Sequence, residues 1–81
     1  MSETPTLREL LGRAGISDRE VERRTGVQRT VLRGYERGTT RRPAWHVCAR
    51  LASLLGLDVL DVLAAAVESI RRANAERRTE P

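Results

Sequence analysis

The chain has 81 residues, 15 cationic side chains against 11 anionic ones for a formal charge of +4, and 40% apolar but only 2% aromatic residues. That length describes one small domain, whose core must be filled by local, mostly helical contacts. One cysteine, Cys48, excludes a disulfide framework within the chain and points to a reducing, cytoplasmic setting, while one histidine beside it leaves too few ligands for zinc.

The polar start from Met1 to Thr6 holds no signal-peptide core, and no apolar run nears the roughly 18 residues of a membrane span. Residues 1–5 are expected to form a flexible lead and residues 79–81 a tail. Thr6-Leu7-Arg8-Glu9 reads as a capping box. Leu7, Leu10, Leu11 and Ala14 follow at helical spacing, and Gly15 supplies a stop, which predicts a first helix over Leu7 to Ala14. Ser17-Asp18-Arg19-Glu20 reads as a second capping box. It opens a short helix with Val21 and Thr25 turned inward and Gly26 as its end.

A third helix, at about residues 28–36, starts with a weaker cap. Val31, Leu32 and Tyr35 share one side of it, Arg29, Thr30 and Arg33 the other, and Gly38 ends it. Gly34 inside that helix costs roughly 1 kcal/mol relative to alanine; it is read either as a tolerated weak spot or as room for DNA or a partner subunit. Pro43 is expected at the first position of a fourth helix, where its missing N–H costs nothing. Ala44, Val47, Leu51 and Leu54 or Leu55 form that helix's buried stripe before Gly56. Asp58 then caps a fifth helix over residues 59–78, with Asp61 in its first turn and Arg71, Arg72, Arg77 and Arg78 toward its end, as the helix dipole favours. Its stripe of Val59, Leu63, Ala66, Val67, Ile70 and Ala73 runs about four turns, more than a closing helix requires, so a partner surface is expected over it.

The charge is concentrated in the middle of the chain. From Arg19 to Arg50 there are nine arginines against three acids, a net +6, whereas the remainder carries −2. Such a basic segment reads as the footprint of a polyanion. It coincides with residues 17–37, whose helix, turn at Gly26 and second helix have the spacing of a helix-turn-helix.

These residues resemble the phage-repressor and Cro-type helix-turn-helix domain, the family of xenobiotic-response-element-type regulators. The resemblance runs from Leu7 to about Leu63. It rests on the Ser17 cap, Val21, Gly26-Val27, Leu32, Tyr35-Glu36-Arg37-Gly38, Arg42-Pro43, the block from Leu51 to Leu57, and Val62-Leu63. It implies an all-α, compact five-helix, lambda-repressor-like fold with an extended C-terminal helix, and a third helix that reads double-stranded DNA. Gln28, Arg29, Thr30 and Arg33 are then the base-reading candidates, and Ser17, Arg19, Arg37, Arg41 and Arg42 the phosphate contacts, aided by free N–H groups at the start of the fourth helix.

The chain departs from the family pattern at three positions. Glu22 stands where a small alanine is common, so looser or rotated packing is expected there. Asp18 replaces a glutamine that touches phosphate, and Arg19 is its expected substitute. Leu11 replaces an arginine that pairs with the glutamate matching Glu36, which leaves Glu36 to Arg8, Arg33, Arg37 or water.

Trp45 is expected to pack against the third helix and the loop after it, Tyr35 to be core, and Cys48 to be a small core residue. His46 and Cys48, two apart on a helix, face different ways and make neither a metal nor a catalytic pair. No nucleophile, base and orienting acid assemble from one histidine, so neither an enzyme nor a cofactor is expected. The sequence therefore reads as a cytoplasmic, nucleoid-associated DNA-binding regulator, a homodimeric repressor pairing through Leu63, Ala66, Val67 and Ile70. The competing reading is a protein-interaction module, an antitoxin or an adaptor of RNA polymerase or another regulator, that grips its partner with the fifth helix.

Overall fold

A computed structural model describes residues 3–79, with side chains as far as Arg77. Met1, Ser2, Glu80 and Pro81, within the expected lead and tail, lie outside the described residues, as does the side chain of Arg78. Five helices follow one another: α1 (Leu7–Ala14), α2 (Asp18–Thr25), α3 (Arg29–Arg37), α4 (Trp45–Leu55) and α5 (Val59–Thr79). Among the described residues there is no strand.

The helix ends follow local chemistry, with two corrections. The Thr6–Glu9 capping box is complete in both directions. At α2 only half of the expected box forms: the Ser17 hydroxyl accepts from the Glu20 N–H, but the Glu20 carboxylate is drawn instead to Arg23 and Arg24. Pro43 is not the first residue of α4. The N-cap is Ala44, and Trp45 is the first helical residue. The phenolic oxygen of Tyr35 explains the shift, because it accepts the Ala44 N–H at 3.0 Å and so anchors the chain one step before the helix begins. Asp58 caps α5 as expected, its Oδ1 accepting from the Leu60 N–H at 2.8 Å.

The core lies where α5 meets α1, α3 and α4. Leu7 and Leu11 of α1, Leu32 and Tyr35 of α3 and Leu51 of α4 are essentially inaccessible, as are Val21 and Cys48. Burying each such aliphatic side chain stabilises the fold by about 1.5–3 kcal/mol. Val62, Ala65 and Ala66 meet them from α5 with no exposed surface. The small alanines let neighbouring helices approach closely.

This packing covers much of the α5 stripe from within the chain. Ala66 and Ile70 are buried inside the chain, and Leu63 and Val59 pack partly against the same cluster. The side chains expected to meet a second subunit mostly meet α1, α3 and α4, because α5 is long enough to serve as the spine of the domain. Val67 is the exception, half exposed one helical turn from Leu63.

Ser69, a residue without an evident role in the sequence, ties α1 to α5. Its buried hydroxyl accepts the Leu7 N–H at 2.9 Å and donates to the Ala65 carbonyl at 3.0 Å. The first N–H groups of a helix have no partner within it, and here α5 supplies one across the core. Ser69→Ala is expected to cost about 1–3 kcal/mol, the penalty for a buried donor left unpaired, seen as a melting point lower by at least about 4 °C. An unchanged melting point would mean that the Leu7 N–H finds another acceptor.

Near the surface, Glu68 gathers two arginines of α5, one of which reaches the N-terminal segment. Arg71 and Arg72 both hydrogen-bond its carboxylate, which holds its pKa down to about 2. Arg72 also reaches Glu9 and the Thr4 carbonyl, each at 3.1 Å. A folded value below the ordinary 4.5 means that these bonds stabilise the fold above that pH and are lost as pH falls toward about 2. Glu68→Gln should therefore lower the melting point at neutral pH, and the difference should close over that acid range. A difference independent of pH would break the link.

Candidate nucleic-acid interface

The turn between α2 and α3 is held by polar contacts as well as by burial. The Thr25 hydroxyl donates to the Val21 carbonyl at 2.6 Å and accepts the Val27 N–H at 3.1 Å. Gly26 turns the chain with φ near 78°, a conformation that other residues adopt at a cost. Arg50 donates from α4 to the Thr25 carbonyl at 3.0 Å, closing the end of α2. Val27 and Leu32 are buried under the turn, so α3 leaves it at a fixed angle.

With Leu32 and Tyr35 facing the core, helical geometry turns Gln28, Arg29, Thr30 and Arg33 outward. All four are exposed, and together with Glu22 they line one shallow hollow. Glu22 does not loosen the packing of α2. Its carboxylate accepts the backbone N–H of Arg29 at 3.2 Å and lies 3.6 Å from the same residue's Nε. It supplies the cap that Gln28 does not provide from its own side chain.

The far end of α3 is braced by the loop and by α5. The Gly34 carbonyl accepts the N–H groups of Thr39 and Thr40. A Cβ at position 34 would stand 2.4 Å from Thr40 Oγ1. Gly34 is thus neither a tolerated weak spot nor kept for DNA; it lets the Thr39–Thr40 turn fold back onto its own helix. A Cβ at Gly38 would meet Asn74 and Ala73 of α5, and Arg77 hydrogen-bonds the Arg37 carbonyl.

Charge on this face is partly spoken for. Glu20 holds Arg23 and Arg24, and Glu22 holds Arg29. Among the described residues, Arg19, Arg33, Arg37, Arg41 and Arg42 have no acidic partner, and all five are exposed. Ser17 is exposed as well, with its hydroxyl proton available beyond the cap. Asp18 is partly buried and paired outside this set. Arg8 bridges Asp18, at 3.1 Å, and Glu36, so a residue of α1 one helical turn before Leu11 provides the missing partner of Glu36. These bonds raise the Arg8 pKa, chiefly through Asp18.

Trp45 departs from expectation. It is 56% exposed at the start of α4 beside the basic loop, while Tyr35 is the aromatic side chain buried in the core. Cys48 is buried, which raises its thiol pKa, and His46 is exposed on another face. Among the described residues no cluster of three or more His, Cys, Asp or Glu side chains could hold a metal ion. No helix among them is long and apolar enough to cross a membrane.

A brace helix, a tight turn and a second helix offering polar and cationic side chains outward define a helix-turn-helix DNA-binding module. The chain belongs to the helix-turn-helix domain family, whose model matches residues 6–67. No curated protein and no solved structure matches it. The match spans α1 to α4 and ends at Val67, partway along α5.

Proposed function

We propose that the chain is a sequence-specific double-stranded DNA-binding transcriptional regulator, a repressor that reads the major groove with the first half of α3. The observation that carries this reading is the outward, clustered placement of Gln28, Arg29, Thr30 and Arg33 on a helix whose opposite side is locked in the core. Arg29 and Arg33 present planar forks suited to the O6 and N7 of guanine, and Gln28 and Thr30 add hydrogen-bonding groups that suit adenine or thymine edges. The guanidiniums of Arg19, Arg37, Arg41 and Arg42, which have no acidic partner among the described residues, flank this helix with the Ser17 hydroxyl as phosphate contacts that set the docking without selecting sequence.

A single recognition helix reads only a few base pairs, so the regulator acts as a homodimer on two half-sites about one helical turn apart. Of the four residues first assigned to that contact, Val67 is available and Leu63 partly so. Ala66 and Ile70 support the surface from within the core. Leu60, 61% exposed, and the exposed Ala64 continue the face. The same face favours the second reading, an adaptor that binds another protein.

Selection of bound sequences from random duplex DNA, with the oligomeric state measured in the same buffer, tests both parts. A two-fold symmetric motif bound by a dimer is the expected result. Binding without sequence preference would overturn the regulator reading in favour of the adaptor, and a monomer at concentrations on the order of tens of micromolar would overturn the homodimer.

A further inference from the structure

Before any DNA arrives, Arg29 has its backbone N–H bonded to, and its side chain loosely paired with, a carboxylate of the neighbouring helix. One oxygen of Glu22 accepts the Arg29 N–H at 3.2 Å, which fixes the carboxylate at the start of α3. The N-terminal end of the helix dipole favours a negative charge at that place. The other oxygen lies 3.6 Å from Arg29 Nε. Nε is the guanidinium nitrogen paired with Glu22, beyond hydrogen-bond distance, which leaves the two terminal nitrogens as the edge that can span the O6 and N7 acceptors of guanine.

Arg33, one turn along, has no such partner among the described residues. A free arginine next to a duplex settles readily on phosphate, whose charge is everywhere along the groove. A carboxylate beside the side chain opposes that alternative, because it repels phosphate. It also restricts the side chain beforehand, so less conformational freedom is lost when the base is bound.

We infer that Glu22 is a specificity-determining positioning residue, which keeps the Arg29 fork in its base-reading orientation and lowers affinity for DNA of unrelated sequence. This rests on the reading of α3 as the base-reading helix. Glu22 touches no base in this role; it acts through Arg29.

Sequence selection on random duplexes with the full chain and with Arg29→Ala, Glu22→Ala and Glu22→Gln tests it. Glutamine keeps an oxygen for the Arg29 N–H and removes the charge, which separates positioning from capping. The expected result is that both Glu22 variants relax preference at the same base position as Arg29→Ala, by about two- to fivefold, the scale of a partly exposed ion pair. Preference elsewhere should persist, and affinity for unrelated duplex should hold or rise. If Arg29→Ala relaxes one position and Glu22→Gln does not, the inference is overturned and the reading of α3 stands. A uniform loss in Glu22→Ala, with a lowered melting point that glutamine restores, would reduce Glu22 to a cap. Should Arg29→Ala change no preference at all, the reading of α3 falls, and the inference with it.

Discussion

Tyr35→Ala is expected to lower the free energy of unfolding by about 3–5 kcal/mol, the range for truncating a large buried aromatic side chain. Among the described residues Tyr35 is the largest fully buried side chain, and it serves the core and the start of α4 at once. Its ring fills the junction of α3 with the core, and burial raises its pKa. Its hydroxyl oxygen accepts the Ala44 N–H and sets where α4 begins. Small domains are stable by only about 5–15 kcal/mol in total, so the alanine variant should be largely unfolded at temperatures the parent tolerates. Tyr35→Phe separates the ring from the oxygen. It should cost about 1 kcal/mol, the usual net worth of one hydrogen bond, while helicity is retained. Urea denaturation followed by circular dichroism reads both. A cost below about 1 kcal/mol for alanine would contradict the packing of α3 described above.

The second large effect concerns DNA. Arg33→Ala is expected to reduce discrimination at a single base pair by about 1–3 kcal/mol, or roughly 5- to 150-fold, because a bidentate contact to guanine is lost. Arg33 is exposed and has no ion-pair partner among the described residues, so its removal leaves no buried charge behind and the fold should not suffer. Arg41→Ala, on the loop after α3, should instead weaken binding to all duplexes about equally. It should also reduce the slope of affinity against salt by about one unit, as one fewer counterion is released. Titrations of cognate and unrelated duplexes at several salt concentrations distinguish the two. Equal loss on both duplexes for Arg33→Ala would move that residue from base reading to phosphate contact.

Much of the fold could be read directly from the chain because it is encoded between near neighbours. The Thr6–Glu9 box, the Asp58 cap and the glycine stops at positions 15, 26, 38 and 56 each involve groups within a few residues of one another. All four of those glycines adopt positive φ. The outward set on α3 was legible for the same reason, since Leu32 and Tyr35 determine by helical periodicity which side remains for Gln28, Arg29, Thr30 and Arg33. Glu22 carried a visible sign of its importance, a charge at a position where the family favours alanine. By itself that sign points only to looser or rotated packing, since a departure from a pattern does not say which atom the new group will reach.

What stayed hidden depends on groups distant in the chain. Ser69 serves the Leu7 N–H across 62 positions, and Arg8 satisfies Glu36 across 28. No local pattern specifies either partner. Trp45, expected to pack against α3 and the loop after it, is more than half exposed, and it is Tyr35 whose buried hydroxyl anchors Ala44. The α5 stripe shows the limit most clearly. Periodicity establishes that one side of a helix is apolar, because each residue's direction follows from its neighbours. Whether that side is covered by the chain's own α1, α3 and α4 or by another molecule is a matter of which surfaces come together in space. The helices, their ends and the basic middle segment were therefore properties of the sequence, whereas the coverage of α5, the partner of Glu36 and the restraint on Arg29 were decided by tertiary packing, since each depends on contacts that exist only once the helices have docked.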